Sequence, residues 1–296
     1  MVVLIPVGLA VIVVAVTVTL ALAWRASERA MHPGPATPAR RLSDFPELEP
    51  EQVSVDSATG VRLAGRFFAG RSRATIVLTH GYGGNQDEML PTAGALHRAG
   101  FSVFTYDLRG TGDSGGAVTF GVREQEDLRS AVDYLVSRSD VDDEKIGALG
   151  FSLGGATTLL AAAADPRIKV VAADSAWANV YHWLRPSIAK LLHPKDPFSP
   201  LSLKLIEWRA AIDLDELRPV EDVGRLSPRP LMLIHGTADA VVPLRDSEHL
   251  LAAAGAPAEL WRVDGASHGD TVAPGGATAS ERVAAFFQRS LDPAMD

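Results

Sequence analysis

The segment Gly150-Phe-Ser-Leu-Gly154 holds residues whose types and spacing could do chemistry, because its serine stands between two glycines. A buried apolar run precedes Ser152, and an apolar, alanine-rich run follows it. This pattern predicts a strand, a tight turn and a helix, and so places the serine in a strained, exposed position at the carboxyl end of the strand. A serine hydroxyl held in that way, with a general base beside it, is a nucleophile for acyl transfer.

The same Gly-x-Ser-x-Gly spacing occurs around Ser114 and around Ser267. Ser114 is followed by a Gly-Gly loop, and Ser267 leads into a segment containing proline and glycine, so neither precedes an apolar helix. Only Ser152 has both the strand and the helix that this geometry requires. The alternative interpretation of Ser152 is a cap for the helix that follows.

A serine nucleophile of this type needs a base and an acid, which we expect further along the chain in the order serine, acid, histidine. Asp239 follows one short apolar run and His268 follows the next. His268 would take the proton of Ser152, and Asp239 would fix the tautomer of the imidazole. Asp174, at the end of an earlier apolar run, is the rival acid, or else a cap of a turn.

A glycine-rich loop, His80-Gly-Tyr-Gly-Gly-Asn85, follows another apolar run. Such a loop can bring a backbone N–H to the reacting centre, where the acyl-transfer transition state needs two donors for its oxyanion. We expect the N–H groups of Tyr82 and Leu153 to be these donors. His80 is expected to be structural, and the alternative interpretation of the loop is a plain turn.

Short apolar runs alternate with helical patterns along the chain. Residues 52–55 and 62–68 alternate apolar and polar side chains about a turn, which predicts an antiparallel hairpin. The pattern over 125–137 predicts a helix with one apolar face. Further strands are predicted over 74–79, 101–106, 146–151, 170–173, 231–235 and 259–263. Such alternation predicts an α/β fold with a doubly wound, mostly parallel sheet, whose ligands lie outside the carboxyl ends of the strands.

Five segments together resemble one known superfamily. They are His80-Gly-Tyr-Gly-Gly84, Tyr106-Asp-Leu-Arg-Gly-Thr-Gly-Asp-Ser114, Gly150-Phe-Ser-Leu-Gly154, His235-Gly-Thr-Ala-Asp239 and Ala266-Ser-His268. Their order and spacing, over residues 50 to 290, resemble the α/β-hydrolase superfamily, in particular small serine-aminopeptidase-like or acyl-hydrolase members with a membrane anchor. The resemblance implies that Ser152, Asp239 and His268 form a catalytic triad. It also implies that Asp107 and Arg109 brace the loops around the site.

Residues from about 175 to 230 form an insert that is too long for a simple crossover. It contains the aromatic residues Trp177, Tyr181, Trp183, Phe198 and Trp208. We expect a small helical cap over the nucleophile, because apolar pockets suit acyl chains or aromatic esters. The alternative is that these aromatic side chains only pack the cap against the sheet.

The expected function is hydrolysis of a carboxylic ester, with a small, lipophilic ester or acyl compound as substrate. A serine peptidase acting on short peptides would use the same residues, and an acidic cluster could hold the amino terminus of its substrate. Candidates for that cluster are Glu207, Asp213, Asp215 and Glu216. A non-catalytic binding protein of the same fold is the third alternative, although such a protein typically lacks a member of the triad.

The first two dozen residues form an uncharged apolar run that is long enough to span a bilayer. We expect residues 1–24 to be an uncleaved anchor, with a signal peptide cleaved near Ala23 as the alternative. Residues 25–49 are expected to be a proline-rich linker and residues 50–296 the catalytic domain. Because Arg25 and Arg29 follow the apolar run, the positive-inside rule favours a cytoplasmic catalytic domain.

The composition and charge of the chain argue against several classes of partner and cofactor. The 296 residues carry a net charge of −8 and a pI near 5.5, so nucleic acid is not an expected partner. The chain has no cysteine, which excludes disulfides, a thiolate nucleophile and cysteine-ligated metals. No phosphate-binding or dinucleotide-binding motif is present and no histidines are paired at metal-ligand spacing, so we expect neither a cofactor nor a metal.

Overall fold

The computed structural model describes residues 4–34, 40–180, 199–255, 257–272 and 277–291. Its strands are β1 Glu51–Asp56, β2 Arg62–Phe68, β3 Thr75–Thr79, β4 Ser102–Tyr106, β5 Ile146–Phe151, β6 Ile168–Asp174, β7 Leu231–Gly236 and β8 Ala258–Val263. They form one sheet in the order β1-β2-β4-β3-β5-β6-β7-β8. Only β2 runs antiparallel to its neighbours, and the other pairs are parallel. The predicted hairpin and the mostly parallel sheet are confirmed.

Helices connect the strands. The α-helices are α1 Leu4–Met31, α2 Leu90–Arg98, α3 Glu124–Val136, α4 Leu153–Ala164, α5 Ser199–Ala210, α6 Pro219–Asp222, α7 Leu244–Ala254 and α8 Ala277–Leu291. Short 3₁₀ helices cover Leu42–Asp44, Gln86–Met89, Leu214–Glu216 and Val223–Leu226. The helix predicted over 125–137 is α3, within one residue at each end.

The sheet is buried on both faces, which explains why its central strands are continuous apolar runs. Every residue of β3 and β5 is buried. Val77 belongs to the core on one face with Leu128 of α3, and the next residue back, Ile76, belongs to the core on the other face with Phe287 of α8. Neighbouring side chains of one strand thus serve two separate cores, and the carboxyl ends of the parallel strands remain the open edge for a site.

The described part of the cap contains α5, α6 and two of the 3₁₀ helices. Its two described aromatic residues behave differently. Trp177 is fully buried, and its ring lies beside Leu217 over the backbone of Gly121, whereas Trp208 is 72 % exposed. Packing of the cap against the rest of the domain therefore explains why a tryptophan stands at position 177, but it does not explain the tryptophan at position 208. The other three aromatic residues of the insert, Tyr181, Trp183 and Phe198, lie outside the described residues.

Helix α1 corrects the expected start of the linker. The helix continues to Met31, so residues 25–31 are helical and are not part of a linker. These residues stay helical because Ala26, Ser27 and Ala30 are buried, and the helix packs against α5 of the cap. The part of α1 over Gly8–Met31 contains an 18-residue window with a mean hydropathy of 2.2, and its length and composition suit a membrane span or a signal sequence.

Candidate active site

Ser152 stands on the turn between β5 and α4, with φ 53° and ψ −115°. This strained backbone is possible because both flanking glycines lie against main chain. A Cβ on Gly150 would lie 2.1 Å from the Gly154 carbonyl oxygen, and one on Gly154 would lie 2.2 Å from that of Thr79. The expected strand, turn and helix are therefore present. Contrary to the expectation of an exposed serine, Ser152 is only 4 % exposed.

His268 lies over Ser152 and links it to Asp239. Its Nε2 is 3.0 Å from the Ser152 Oγ, and its Nδ1 is 2.7 Å from the Asp239 Oδ2. Because an ionised carboxylate only accepts hydrogen bonds, Nδ1 carries the proton, and Nε2 is left to accept the serine hydroxyl. The imidazole also contacts the ring of Phe151, with 5.1 Å between centroids. This order of contacts leaves a free base directed at the hydroxyl.

Asp239 lies on the loop after β7, and its side chain is fully buried. Its Oδ1 accepts the N–H groups of Val241 and Val242 at 2.8 and 2.9 Å, which fixes the carboxylate plane. Burial alone would raise the pKa of Asp239, but hydrogen bonds from His235 and His268 outweigh burial and hold the pKa well below its ordinary value. The carboxylate is therefore ionised at neutral pH, as the tautomer of His268 requires.

Asp174, the rival acid, ends β6 and is fully buried. It accepts hydrogen bonds from the hydroxyls of Thr271 and Ser175 and from the Val272 N–H at 3.3 Å. Burial raises the pKa of Asp174 to about 6, and the bonds from Thr271 and Ser175 only partly offset this. The geometry therefore brings Asp239 to His268, while Asp174 fastens the chain that follows His268 to the end of β6.

His235 is a residue of this site for which the sequence analysis gave no role. Its Nε2 is 2.9 Å from the Val242 carbonyl oxygen and 3.4 Å from the Asp239 Oδ2, and its Nδ1 is 2.7 Å from the Ser247 Oγ. Because a carbonyl can only accept, the Nε2 of His235 carries a proton. Burial lowers the pKa of His235, but the hydrogen bond with Asp239 and that with Val242 outweigh burial and raise it.

The signal for His235 is present in the sequence. It closes an apolar run four residues before Asp239, and a buried histidine needs polar partners for both ring nitrogens. A histidine at the end of a buried strand, at the start of the loop that carries an expected acid, is therefore a candidate neighbour of that acid.

The loop after β3 lies against the turn that holds Ser152. Gly154 lies close to the carbonyl oxygens of Thr79 and His80, so the start of this loop lies beside the turn that holds Ser152. The His80 Nε2 accepts the Leu108 N–H at 2.9 Å. Leu153 is the first residue of α4, where a helical N–H has no acceptor within the helix. The start of this loop and the first turn of α4 therefore lie close to each other at the turn that holds Ser152.

Tyr82 connects this loop to α1. Its hydroxyl donates to the Ala30 carbonyl oxygen at 2.9 Å, and its ring stacks on Phe120 with 5.7 Å between centroids. Burial raises the pKa of Tyr82 to about 12, so the hydroxyl remains a donor. The side chain of Tyr82 therefore has a structural role, and only its backbone N–H remains for the expected part in catalysis.

Asp107 and Arg109 brace the loops, as the resemblance implied. Asp107 accepts the N–H groups of Gln86 and Asp113 at 2.8 and 2.9 Å. Arg109 forms a buried ion pair with Asp127 at 2.6 Å. These contacts join the loops after β3 and β4 to each other and to α3.

The acidic residues considered for peptide binding have other partners. Glu207 forms an ion pair with Lys204 at 2.6 Å and is 9 % exposed. Asp213 accepts the Asp215 N–H at 2.8 Å and so caps a 3₁₀ helix of the cap. Asp215 and Glu216 are exposed on that helix. These contacts explain the carboxylates of Glu207 and Asp213 without a peptide substrate.

A comparison with known families adds to this geometry. The family model of X-Pro dipeptidyl-peptidase (S15 family) matches residues 60–217, which is more than half of the chain. The chain belongs to the S15 family. The S15 match contains Ser152 and ends before Asp239 and His268. It supports membership of the α/β-hydrolase superfamily, as the five motifs predicted, and the coarse function of a hydrolase.

Two curated relatives and one solved structure are similar to this S15 family member. It is 30 % identical over 253 residues to the uncharacterized protein YfhR of Escherichia coli K12, covering 82 % of each chain. It is 30 % identical over 248 residues to the uncharacterized protein Rv2307c of Mycobacterium tuberculosis, covering 78 % of this chain and 80 % of the relative. The Pyrococcus furiosus esterase Pf2001 superposes with a TM-score of 0.71 at 23 % identity, covering 88 % of this chain and 99 % of that chain. The last comparison supports the α/β-hydrolase fold.

Proposed function

We propose that this protein is a serine hydrolase that cleaves carboxylic esters through an acyl-enzyme on Ser152. The observation that carries the proposal is the continuous hydrogen-bonded chain from the Ser152 Oγ through His268 to Asp239, with distances of 3.0 and 2.7 Å. These two hydrogen bonds have the geometry that a nucleophile, a base and an orienting acid need in acyl transfer. The proposal is supported by the strained turn at Ser152, which a helix cap alone would not require.

Acylation begins when the Ser152 Oγ attacks the ester carbonyl carbon and its proton passes to the His268 Nε2. The carbonyl oxygen becomes an oxyanion, which the N–H groups of Tyr82 and Leu153 stabilise. The C–O bond to the alcohol then breaks, and the leaving oxygen takes the proton from the His268 Nε2. Ser152 is left as an ester of the acyl group, and the alcohol departs.

Deacylation repeats these steps with water. The water oxygen attacks the acyl carbon while its proton passes to the His268 Nε2, and the second oxyanion forms at the same two N–H groups. The Ser152 Oγ then leaves and recovers the proton from the imidazole, and the carboxylic acid is released. Asp239 stays ionised throughout and stabilises the imidazolium that forms in each half-reaction.

Full-length protein in detergent, assayed with p-nitrophenyl esters of increasing acyl length, tests this proposal. We expect turnover in the wild type and loss of turnover in Ser152→Ala and in His268→Ala, with circular dichroism unchanged. Ser267→Ala is the matched control, because it removes the exposed hydroxyl of another Gly-x-Ser-x-Gly segment. Unchanged ester turnover in Ser152→Ala would refute the proposed nucleophile.

A peptidase is the second candidate, and the S15 family match favours it. The same residues would cleave an amide, since the leaving amine can take its proton from His268 in place of the alcohol. The ion pair between Glu207 and Lys204 and the capping role of Asp213 favour the ester, because they leave these carboxylates engaged within the cap. Assays with X-Pro p-nitroanilides beside the esters separate the two, and a higher kcat/KM for the anilide would make the protein a peptidase.

We also propose that α1 is an uncleaved membrane anchor and that the substrate is lipophilic. The described apolar residues of the helix before Ala23 are exposed, which suits lipid rather than a protein core. The arginines that follow the apolar run favour a cytoplasmic catalytic domain. Amino-terminal sequencing of the protein from alkali-washed membranes tests the anchor. A mature chain that begins near Trp24 would show a cleaved signal peptide instead.

A further inference from the structure

Two exposed tryptophans, one on α1 and one on α5 of the cap, contact each other. Trp208 on α5 is 72 % exposed and Trp24 on α1 is 45 % exposed, and their rings make an edge contact with centroids 6.5 Å apart. Lys204 lies one turn before Trp208 on the same face of α5 and is also exposed. We call Trp24, Lys204 and Trp208 the helix-end surface. Large apolar side chains left in contact with water in this way mark an interaction site.

Arg209 fastens α1 to the cap beside this surface. Its guanidinium donates to the Ser27 hydroxyl at 2.7 Å, pairs with the Glu28 carboxylate, and lies 4.2 Å from the centre of the Trp24 ring. The Arg209 side chain is only 14 % exposed, whereas the Glu28 side chain is 48 % exposed, so the ion pair is shielded from water on the Arg209 side only. One side chain of α5 thus contacts three residues of α1, namely Trp24, Ser27 and Glu28.

The last turns of α1 are also fixed to the catalytic domain. The Met31 carbonyl oxygen accepts the Val118 N–H at 2.8 Å, and the Ala30 carbonyl oxygen accepts the Tyr82 hydroxyl. The buried positions recur at helical spacing along one face of α1, namely Ala23, Ala26, Ser27, Ala30 and Met31. Because this part of α1 is a continuous helix packed on the domain, the direction of its upstream part is fixed relative to the cap.

Upstream of Ala23 the described part of α1 is apolar and exposed. Its large exposed side chains are Leu9, Val11, Ile12, Val13, Val14, Val16, Val18, Leu20 and Leu22. These residues point in all directions around the helix, so a single protein groove would not cover them, whereas lipid surrounds a helix on every side. Trp24 ends this run at the first charged residues, where tryptophan is enriched at the membrane–water boundary.

We propose that the helix-end surface lies in the headgroup layer of a lipid bilayer, so that the cap faces the membrane and α1 acts as a rigid strut. The inference rests on the proposed insertion of α1 and goes beyond it, since a flexibly tethered domain would leave Trp208 in water. Trp208 touches Trp24, so the two rings lie at a common depth. A lipophilic ester in the bilayer would then reach the cap without crossing bulk water.

Site-directed spin labelling tests this placement, and the absence of cysteine gives a background-free chain. A nitroxide is placed at Lys204→Cys, which leaves both tryptophans intact, in full-length protein reconstituted into phosphatidylcholine–phosphatidylglycerol vesicles. Val16→Cys reports insertion of α1. Asp143→Cys is the aqueous control, because it is exposed next to the amino end of β5, at the edge of the sheet opposite Ser152. Accessibility to oxygen and to a water-soluble nickel complex gives the depth of each label.

We expect the label at 204 to be several-fold less accessible to nickel than the label at 143, and the label at 16 to lie in the hydrocarbon. Equal nickel accessibility at 204 and 143, with the label at 16 in the hydrocarbon, would overturn the docked cap and leave the anchor standing. A label at 16 that is in water would overturn the anchor and the docked cap together. The two failures are therefore distinguishable.

Arg209→Gln supplies a second test, since it removes the ion pair with Glu28 and the guanidinium above Trp24. In that background we expect the label at 204 to become several-fold more accessible to nickel while the label at 16 stays in the hydrocarbon. Unchanged depth at 204 would contradict the role given to Arg209 as the contact that holds α1 against the cap. Unchanged circular dichroism establishes that the variant is folded.

Discussion

Asp174 and Asp239 follow neighbouring strands, and their carboxylates are held in opposite ways. The Asp174 side chain, at the end of β6, receives two hydroxyls and an N–H, and burial raises its pKa to about 6. The Asp239 side chain, after β7, receives two N–H groups and two imidazoles, and its pKa is lowered. Both residues lie at the edge of the sheet where ligands bind, so position alone does not show which of the two carboxylates pairs with the base. The partners supplied by the surrounding loops decide which carboxylate stays ionised beside the base.

The largest expected effect is on turnover in Asp239→Asn. The amide would present a donor to the His268 Nδ1 and favour the tautomer with its proton on Nε2, so we expect kcat/KM for a p-nitrophenyl ester to fall about 10⁴-fold. Asp174→Asn is the control and should keep activity within about tenfold, because its site does not touch the reacting atoms. If Asp174→Asn showed the larger loss, the two carboxylates would have to exchange roles.

Asp174→Asn should instead reduce stability. An asparagine amide cannot accept hydrogen bonds at both of its terminal atoms, so at least one of Thr271, Ser175 and the Val272 N–H loses its partner. The free energy of unfolding should fall by about 1–3 kcal/mol, measured by urea denaturation at pH 7.5, where the Asp174 carboxylate is ionised. A variant as stable as the wild type would show that Asp174 does not fasten the segment after His268.

The dependence of stability on pH should have opposite signs at the two sites. The pKa of Asp174 is raised, so its contribution is complete below an unfolded-state pKa near 4 and is lost as the pH rises through about 6. The stability advantage of the wild type over Asp174→Asn should therefore decrease by about 2 kcal/mol between pH 4.5 and pH 7.5. The pKa of Asp239 is lowered, so its contribution is present above about pH 4 and is lost on acidification. Urea denaturation of Asp174→Asn between pH 4.5 and pH 7.5, and of Asp239→Asn from pH 7.5 down to about pH 3, checks the signs. Slopes of equal sign would contradict the comparison.

The smallest expected effect concerns His235, which contacts Asp239 and no reacting atom. His235→Gln should lower kcat about tenfold with little change in KM, because a charge-assisted contact to the orienting carboxylate is lost. In an Asp239→Asn background, His235→Gln should cause little further loss of kcat, because the two residues act through one contact. A double-mutant cycle measures this coupling. Additive losses would show that His235 acts on the fold rather than through Asp239.

Much of the fold could be predicted because its signals are local. The central strands are continuous apolar runs. The turn at Ser152 needs glycines on both sides, because a Cβ there would collide with the main chain. The hairpin of β1 and β2 follows from the alternation of its side chains. These features depend on residues close together in the sequence, so periodicity and glycine spacing suffice to find them.

The features that sequence reasoning missed depend on distant contacts. The helical state of residues 25–31 depends on Arg209, which lies about 180 residues away in the chain. The exposure of Trp208 depends on which face of α5 meets the domain, and the aromatic pattern alone did not decide this. The sequence analysis did prefer Asp239 to Asp174, but both stand at strand ends, and it is the loop after β7 that brings Asp239 within 2.7 Å of His268.

The most direct test of the account is labelling of the full-length protein with a fluorophosphonate, followed by mass spectrometry of its peptides. We expect one phosphonyl group per chain, on Ser152, with labelling strongly slowed in His268→Ala and in Asp239→Asn but not in Asp174→Asn. Labelling of a different serine, or no labelling of the folded protein, would contradict the proposed nucleophile and the hydrogen-bonded chain that supports it.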